Sequence, residues 1–221
     1  MTKRAALILA GGKARRFQHE SEEWQDKALA LLCGKPLLIH VVENAREVVD
    51  EIIICVNDET RRTKYTKVME NHNVDNVRLV VDEKISHVSG PNVAILTGLK
   101  ATKTDFCVTL PCDMPFLKPK IINYLFDAAE DAQVTVPMWP NSRIETLVMV
   151  LERPGATAIP LVVFGFLGLR WDTAYPHCSQ LPIHPVSPAI LPSPWEQNAR
   201  THIQRTAAVE SSQSSGFSSA W

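Results

Sequence analysis

The chain carries almost no net charge that could attract it to a charged polymer. Its 23 lysines and arginines nearly balance 24 aspartates and glutamates, which leaves a formal charge of -1 over 221 residues. Bulk electrostatics therefore gives no reason to expect a nucleic acid or an anionic membrane as a partner. Any anion site must be built locally from a few residues.

Cysteine is scarce, and its spacing argues against two common uses. The five cysteines are odd in number and none belongs to a C-x-x-C pair, so neither a disulfide framework nor a zinc site is predicted. Cys55 and Cys107 lie inside apolar runs that read as strands. We expect both to be buried free thiols in a reducing cytoplasm.

Long hydrophobic runs are also missing. The apolar stretch near the N-terminus soon ends in glycines and charge, and the later run 158–169 is short for a membrane span. We expect a soluble cytoplasmic protein without a membrane-spanning segment.

Charge becomes sparse after residue 153. Residues 154–221 hold eight of the 15 prolines but only six charged side chains, and no lysine follows Lys120. Prolines between residues 182 and 194 forbid a regular helix there, and the ending is rich in serine. The sequence therefore predicts a domain at 1–153 and an atypical Pro/Ser-rich segment at 154–221, which is either disordered or a frame-shifted reading of the gene.

Residues 5–153 alternate apolar strands with helical stretches. Strands are predicted at 5–10, 51–56, 77–81, 105–110, 133–137 and 145–151, and helices at 35–50, 58–71, 90–101 and 119–131. This alternation predicts a three-layer αβα domain with a mostly parallel sheet. Ligands of such sheets bind beyond the carboxyl ends of the strands, so residues that follow strands are expected to share one rim. The predicted rim residues are Gly11, Gly12, Asn57, Asp82 and Asp113.

Helix starts carry local signals. Pro36 and Pro91 suit the first turns of their helices, where a missing N–H group costs nothing. Asp58 has the side chain of an N-cap residue.

The string LILAGGKARRF at residues 7–17 runs from a strand into two glycines and three basic residues. The glycines permit a sharp turn, in which successive N–H groups form an anion-binding nest. Arg15 and Arg16 add forked donors that match phosphate oxygens. Because GK[ST] and GxGxxG are both absent, the string predicts a polyphosphate cradle unlike a P-loop or a dinucleotide fingerprint.

Further strings extend this pattern. Lys27 stands in QDKALALLCGKPLL, and ICVND, VVDE, SGPNVAILTGL and LPCDMPFL follow. Together they resemble the nucleotidyltransferase superfamily that activates small phosphates with nucleoside triphosphates, and KARR is most similar to the MobA-like molybdenum cofactor guanylyltransferases. The resemblance covers residues 5 to about 151 and implies a Rossmann-like nucleotidyltransferase fold.

The resemblance implies a nucleotide site. Backbone groups of Leu9, Ala10 and Gly11 would hold the guanine and ribose, and Asn57 and Asp82 would help to fix the nucleoside. The triphosphate would be wrapped by Gly12, Lys13, Arg15 and Arg16.

The resemblance also implies which residues take part in nucleotidyl transfer. Arg16 and Lys27 would meet phosphate charge, and Asp113 would ligate Mg²⁺. Asp113 could instead cap the helix that begins near KPKIINYL. The segment PNSRIETLVMV makes Arg143 and Glu145 candidates for the acceptor side, with a hairpin salt bridge as the alternative.

The implied reaction transfers GMP from GTP to the phosphate of molybdopterin and releases pyrophosphate. Such chemistry needs positioning and charge neutralisation rather than a protein nucleophile. Other acceptors and bases stay open: a molybdopterin cytidylyltransferase, a guanylyltransferase for phospholactate or cobinamide phosphate, or a sugar-phosphate nucleotidyltransferase. A nucleotide-binding protein without turnover and a purely structural domain are alternatives from other classes.

The chain departs from the family pattern at three places. Gln18 stands where glycine is usual, and an acidic string, HESEEW, lengthens the loop before Lys27. The sequence after residue 153 does not resemble the family, so the acceptor half of the site is the less complete part.

Overall fold

The computed structural model describes residues 2–12, 26–84, 90–129, 134–138 and 145–152, and the backbone of 183–186. Its strands are β1 Arg4–Leu9, β2 Leu31–Leu32, β3 Lys35–Pro36, β4 Glu51–Val56, β5 Val77–Val81, β6 Phe106–Pro111, β7 Val134–Pro137, β8 Met149–Glu152 and β9 Ile183–Val186. Its helices are α1 Leu37–Arg46, α2 Glu59–Asn71, α3 Pro91–Ala101 and α4 Pro119–Asp127, and a 3-10 turn spans Lys27–Leu29.

One sheet organises these elements, with the strand order β5-β4-β1-β6-β8-β7-β9. β5, β4, β1 and β6 are parallel, and β8 runs antiparallel to both of its neighbours. The predicted mostly parallel sheet is confirmed. β9 was not predicted: it pairs in parallel with β7, so part of the Pro/Ser-rich segment adds a strand to the sheet. The rest of 154–221 lies outside the described residues, and the domain boundary at 153 stays a prediction.

Apolar side chains cover both faces of the sheet and make the three layers. On one face, Ile8 and Ile54 pack with buried residues of α1, α2 and α4. On the other face, Leu7 and Cys55 pack with α3. A Cβ atom on Gly98 of α3 would lie 3.0 Å from Leu7 Cδ1, so glycine lets this helix approach the sheet closely.

The helix starts follow their local signals, with one exception. The Asp58 carboxylate accepts a hydrogen bond from Arg61 N at 2.8 Å and caps α2, and Pro91 opens α3. Pro36 is not in the first turn of its helix: it is the N-cap residue of α1 and pairs with Leu31 in the small β2–β3 hairpin. A proline without an N–H donor suits the edge of that hairpin.

Most other predicted elements agree with the structure to within one residue at each end, and three differ by more. The helix expected at 35–50 is shorter, α4 ends at Asp127, and the last predicted strand begins at Met149. In the described ranges, no helix has the length and apolar character required to cross a bilayer.

The order in which strands are added to the sheet reverses beside β1. β4 and β5 are added on one side of β1, and the chain then crosses to β6 on the other side. The carboxyl ends of β1 and β6 thus border the crevice where sheets of this kind bind ligands.

Candidate functional site

The first loop, β4 and β5 bring three predicted residues into contact at this rim. A Cβ atom on Gly11 would lie 3.2 Å from Asp82 Oδ2 and 3.4 Å from Asn57 N. A residue with a side chain would therefore crowd the Asp82 carboxylate and touch Asn57. The predicted clustering of Gly11, Asn57 and Asp82 is confirmed, and their roles stay predictions.

Asp82 holds a carboxylate that the described protein does not fully satisfy. Its backbone N donates to Val56 O at 2.7 Å, which extends the β4–β5 pairing by one residue. Its side-chain Oδ1 is buried and has no hydrogen-bond partner among the described residues. Burial raises the pKa of Asp82 to about 6, because the charged form loses water without gaining a donor. Such an acceptor suits a ligand that brings N–H groups.

Lys27 and Asp113 form an ion pair at the second part of the rim. Lys27 Nζ donates to Asp113 Oδ2, and the two side chains are 37% and 28% exposed. Lys27 opens the 3-10 turn, whereas Asp113 follows β6. Cys112, between β6 and Asp113, donates its N–H to Leu9 O at 3.3 Å, which fixes this turn beside the end of β1. Two charges predicted for phosphate and metal thus face one another.

The alternative role of Asp113 as a helix cap is wrong. The N-cap residue of α4 is Lys118, five residues further on. The intervening turn is held from α1, where Asn44 Nδ2 donates to Pro115 O at 2.9 Å. Asp113 therefore has no helix to cap, and its carboxylate is directed by the turn toward Lys27.

Sequence reasoning missed a buried polar cluster below the rim. It consists of Asp26, Arg61 and Tyr65, whose residues are at most 8% exposed. Arg61 and Tyr65 lie on α2, which reads as a polar helix. The detectable pattern was the spacing of Arg61, Tyr65 and Met69, which recur every four residues and share the buried face of α2.

Glu145 lies on the same rim, further along the sheet. Its backbone N donates to Pro137 O at 2.8 Å, which places it at the carboxyl end of β7. β7 is parallel to β6 and separated from it by β8. This position suits the acceptor side, and the role of Glu145 stays a prediction.

Four predicted site residues lie outside the described residues: Lys13, Arg15, Arg16 and Arg143. Gly12 is described, and a Cβ atom there would meet no atom of the described residues within 4 Å. The open space at Gly12 and the contact at Gly11 show that the two glycines meet different constraints.

The donors at the rim fit a hard divalent cation only in part. In the ranges that the structure describes, no group of three His, Cys, Asp or Glu side chains could hold a metal ion. Beside Lys27, Asp113 supplies one carboxylate. Mg²⁺ is commonly held by one or two carboxylates together with substrate phosphates, so Asp113 fits an ion that arrives with a nucleotide.

The thiols divide by position. Cys55 and Cys107 are buried thiols, whereas Cys33 is exposed in the β2–β3 hairpin. Burial and then the Asp82 carboxylate raise the pKa of Cys55, which keeps it a neutral apolar filler below the site.

Comparison with known proteins places the chain among nucleotidyltransferases. The profile of the MobA-like NTP transferase domain matches residues 6–207, so the match continues past residue 153, beyond which we expected no resemblance to the family. A probable molybdenum cofactor guanylyltransferase of Methanosarcina acetivorans is 32% identical over 151 residues, which are 68% of this chain and 64% of that protein. The molybdenum cofactor guanylyltransferase of Shewanella putrefaciens is 31% identical over 149 residues, 67% of this chain and 69% of the relative. The matched region thus spans just under two thirds of the archaeal relative.

Solved structures share the fold at lower identity. Molybdopterin-guanine dinucleotide biosynthesis protein A from Archaeoglobus fulgidus has a TM-score of 0.64 at 19% identity and covers 95% of this chain and 99% of its own. Rv0371c of Mycobacterium tuberculosis, solved in complex with manganese, has a TM-score of 0.60 at 15% identity and covers 92% and 98%. The matched profile spans most of this chain. The chain belongs to the MobA-like NTP transferase family.

Proposed function

We propose that this protein transfers GMP from GTP to the phosphate of molybdopterin, giving the guanine dinucleotide form of the cofactor and pyrophosphate. The observation that carries the proposal is the convergence of Gly11, Asn57 and Asp82 with the Lys27–Asp113 pair along one rim. The relatives named as molybdenum cofactor guanylyltransferases support guanine as the base and molybdopterin as the acceptor.

The nucleoside occupies the part of the rim around Gly11. Asp82 Oδ1 is a buried acceptor in need of a donor, and guanine presents two N–H donors on one edge. Asn57 adds an amide next to Gly11. Their hydrogen bonds favour guanine over bases that present fewer donors to a carboxylate.

The triphosphate occupies the crevice between β1 and β6. Lys27 leaves Asp113 to meet phosphate oxygens, and Gly12 begins the loop that also carries Lys13, Arg15 and Arg16. Asp113 would hold a divalent ion, which enzymes of this family generally use and which we propose to be Mg²⁺. When bound, such an ion neutralises charge on the phosphates.

The transfer itself needs no nucleophile from the chain. An oxygen of the acceptor phosphate forms a bond to the α-phosphorus of GTP, and the bond from that phosphorus to the bridging oxygen breaks, so that pyrophosphate leaves. The acceptor phosphate is already ionised near neutral pH. Lys27 stabilises the added charge, and Glu145 and Arg143 are proposed for the acceptor side.

Nucleotide binding tests the first half of the proposal. Full-length protein is heated with GTP, CTP, ATP or UTP, each with and without Mg²⁺. Ligand at about one hundred times its dissociation constant should stabilise the fold by roughly 2.7 kcal/mol. A Mg-enhanced shift selective for GTP supports guanylyl transfer. A folded sample that responds to no nucleotide contradicts it.

Turnover tests the second half. Pyrophosphate release is measured with GTP, Mg²⁺ and molybdopterin, beside Asp113→Asn as the inactive control. GTP binding without pyrophosphate release from any acceptor would support the alternative of a binding protein without turnover.

A further inference from the structure

The Asp26–Arg61–Tyr65 cluster joins two parts of the site that are distant in sequence. Asp26 precedes the turn that carries Lys27, while Arg61 and Tyr65 lie on α2. The Arg61 and Asp26 side chains are 8% and 4% exposed, and Tyr65 is fully buried. Among the described residues, these polar groups contact one another and nearby backbone instead of bulk water.

One side of the cluster holds the first loop. Arg61 Nη1 donates to Ala10 O at 3.2 Å and to Gly12 O at 3.0 Å, and Tyr65 OH lies 3.4 Å from Ala10 O. In a trans peptide the carbonyl and the N–H of the next residue point in opposite directions. Holding the Ala10 carbonyl toward α2 therefore turns the Gly11 N–H away from α2.

The other side of the cluster holds the turn of Lys27. Tyr65 OH lies 2.9 Å from both carboxylate oxygens of Asp26, and Asp26 Oδ1 accepts from Ala28 N at 3.3 Å. Arg61 Nε lies 3.7 Å from Asp26 Oδ2. Burial, and then the Asp26 carboxylate, raise the pKa of Tyr65, so its hydroxyl remains a donor.

Stability alone does not explain such a cluster. Burying a carboxylate and a guanidinium costs desolvation energy, and well-packed apolar residues often serve the fold as well or better. The cluster instead fixes where two backbone segments stand relative to each other. We infer that Asp26, Arg61 and Tyr65 are positioning residues, which hold the Gly11–Gly12 turn and the Lys27 turn in the arrangement that a nucleoside triphosphate requires. This role rests on the proposed function.

The test compares GTP with GMP. Under the proposed function Gly12 and the Lys27 turn serve the phosphates, whereas Gly11 lies beside the nucleoside, so GMP should lose part of the effect that GTP shows in full. Tyr65→Phe removes one hydroxyl and keeps the packed ring, and Arg61→Met removes the charge that binds the two carbonyls. We expect each variant to weaken Mg-GTP binding by about tenfold and GMP binding by less than about threefold in titration calorimetry.

Thr104→Val is the matched control. Thr104 is buried at the amino ends of the strands, and its hydroxyl contacts Thr102 and Phe106 O at 3.0 and 3.1 Å. Losing it should lower the melting temperature and leave the GTP and GMP affinities unchanged, which separates positioning from stability.

Hydrogen exchange without nucleotide tests whether the cluster holds the two backbone segments in place. In Tyr65→Phe, the amides of residues 7–12 and of residues 26–32 should both exchange faster than in the wild type. In Thr104→Val, the exchange rates of the same two segments should not change.

The outcomes distinguish two failures. If the wild-type protein binds GTP and Tyr65→Phe binds GTP and GMP as the wild type does, the positioning role is wrong and the proposed function stands. Equal losses for GTP and GMP that follow the melting temperature also overturn the role. If the wild-type protein binds no nucleotide, the proposed function fails and the positioning role fails with it.

Discussion

The two ends of the parallel strands treat their polar groups differently. At the amino ends, Asp50 and Asp105 accept hydrogen bonds from the backbone N of Arg4 and Lys3, each at 2.9 Å. Glu51 accepts from Arg78 at 2.7 Å and from the Thr102 hydroxyl at 2.6 Å. These carboxylates complete the structure of the strands.

At the carboxyl ends, the described carboxylates are less well matched. Asp82 Oδ1 is buried and has no hydrogen-bond partner among the described residues, and Asp113 pairs with the partly exposed Lys27. A buried polar atom without a hydrogen bond costs free energy that folding must offset elsewhere. The comparison teaches that composition alone does not mark the site, because both ends are rich in carboxylates. The candidate site is marked instead by carboxylates whose hydrogen-bonding capacity is not fully satisfied within the described protein.

The largest expected difference separates the two ends of β6. Asp113→Asn should lower kcat/KM for GMP transfer by about a thousandfold, because it removes the anionic oxygen proposed for the metal. Asp105→Asn, at the other end of β6, should leave turnover unchanged and lower the free energy of unfolding by about 1 kcal/mol or less. Steady-state kinetics and urea unfolding measure the two quantities. Equal kinetics for the two variants would refute the site.

A pair of lysines sharpens the comparison. Lys27→Met should reduce kcat by about a hundredfold, since charge that develops on phosphate loses its partner. Lys35 is 36% exposed, close to the 37% of Lys27, and pairs with Glu43 at 2.8 Å in a surface bridge. Lys35→Met should change neither kcat nor KM, and both substitutions should cost less than about 1 kcal/mol of stability. A similar fall in kcat for Lys35→Met would show that general surface charge, rather than the rim, governs turnover.

Two glycines, one at the rim and one in the core, allow the same comparison for the backbone. Gly11→Ala places a methyl group 3.2 Å from Asp82 Oδ2 and should weaken GTP binding by about tenfold, or roughly 1.4 kcal/mol. Gly98→Ala places one 3.0 Å from Leu7 Cδ1 in the core and should lower the free energy of unfolding by about 1–3 kcal/mol. Calorimetric affinity is expected to change only in Gly11→Ala. Unchanged GTP affinity in that variant would remove Gly11 from the nucleotide site.

The smallest expected effect concerns pH and stability. The pKa of Asp82 rises from 3.8 to about 6 on folding, so its protonated form favours the native state below about pH 4, and this contribution is lost as the pH rises through 6. Asp82→Asn cannot ionise. It should therefore match the wild type at pH 4 and exceed it at pH 8, by on the order of 1 kcal/mol.

Glu51→Gln provides the control for Asp82→Asn. Since Glu51 has partners, its replacement should destabilise the protein at pH 8. Urea unfolding at the two pH values measures both variants, and no stabilisation of Asp82→Asn at pH 8 would contradict an unpaired carboxylate.

Much of the rim could be predicted because its residues directly follow strands that are recognisable in the sequence. The predicted bounds of β4 and β5 agree with the structure, since each is a near-continuous apolar run that a doubly covered sheet requires. Asn57 and Asp82 follow those strands directly. Parallel strands bring their carboxyl ends to one edge, which suffices to expect Gly11, Asn57 and Asp82 together.

The rest depends on contacts that no local pattern encodes. Arg61 reads as one more charge on a polar helix, and only tertiary packing turns it toward the carbonyls of Ala10 and Gly12. The antiparallel direction of β8 and the pairing of β9 with β7 are decided by how the chain returns to the sheet. The Lys27–Asp113 contact joins residues 86 positions apart.

The Lys27–Asp113 pair makes the cleft behave as an ion exchanger. Under the proposed function, the ammonium trades a carboxylate for phosphate oxygens, while the carboxylate trades the ammonium for a cation. A nucleotide that arrives alone leaves the Asp113 carboxylate without a counter-charge, and a cation that arrives alone leaves the Lys27 ammonium without one. The exchange balances only when both enter as one complex, and it reverses when pyrophosphate and cation depart together.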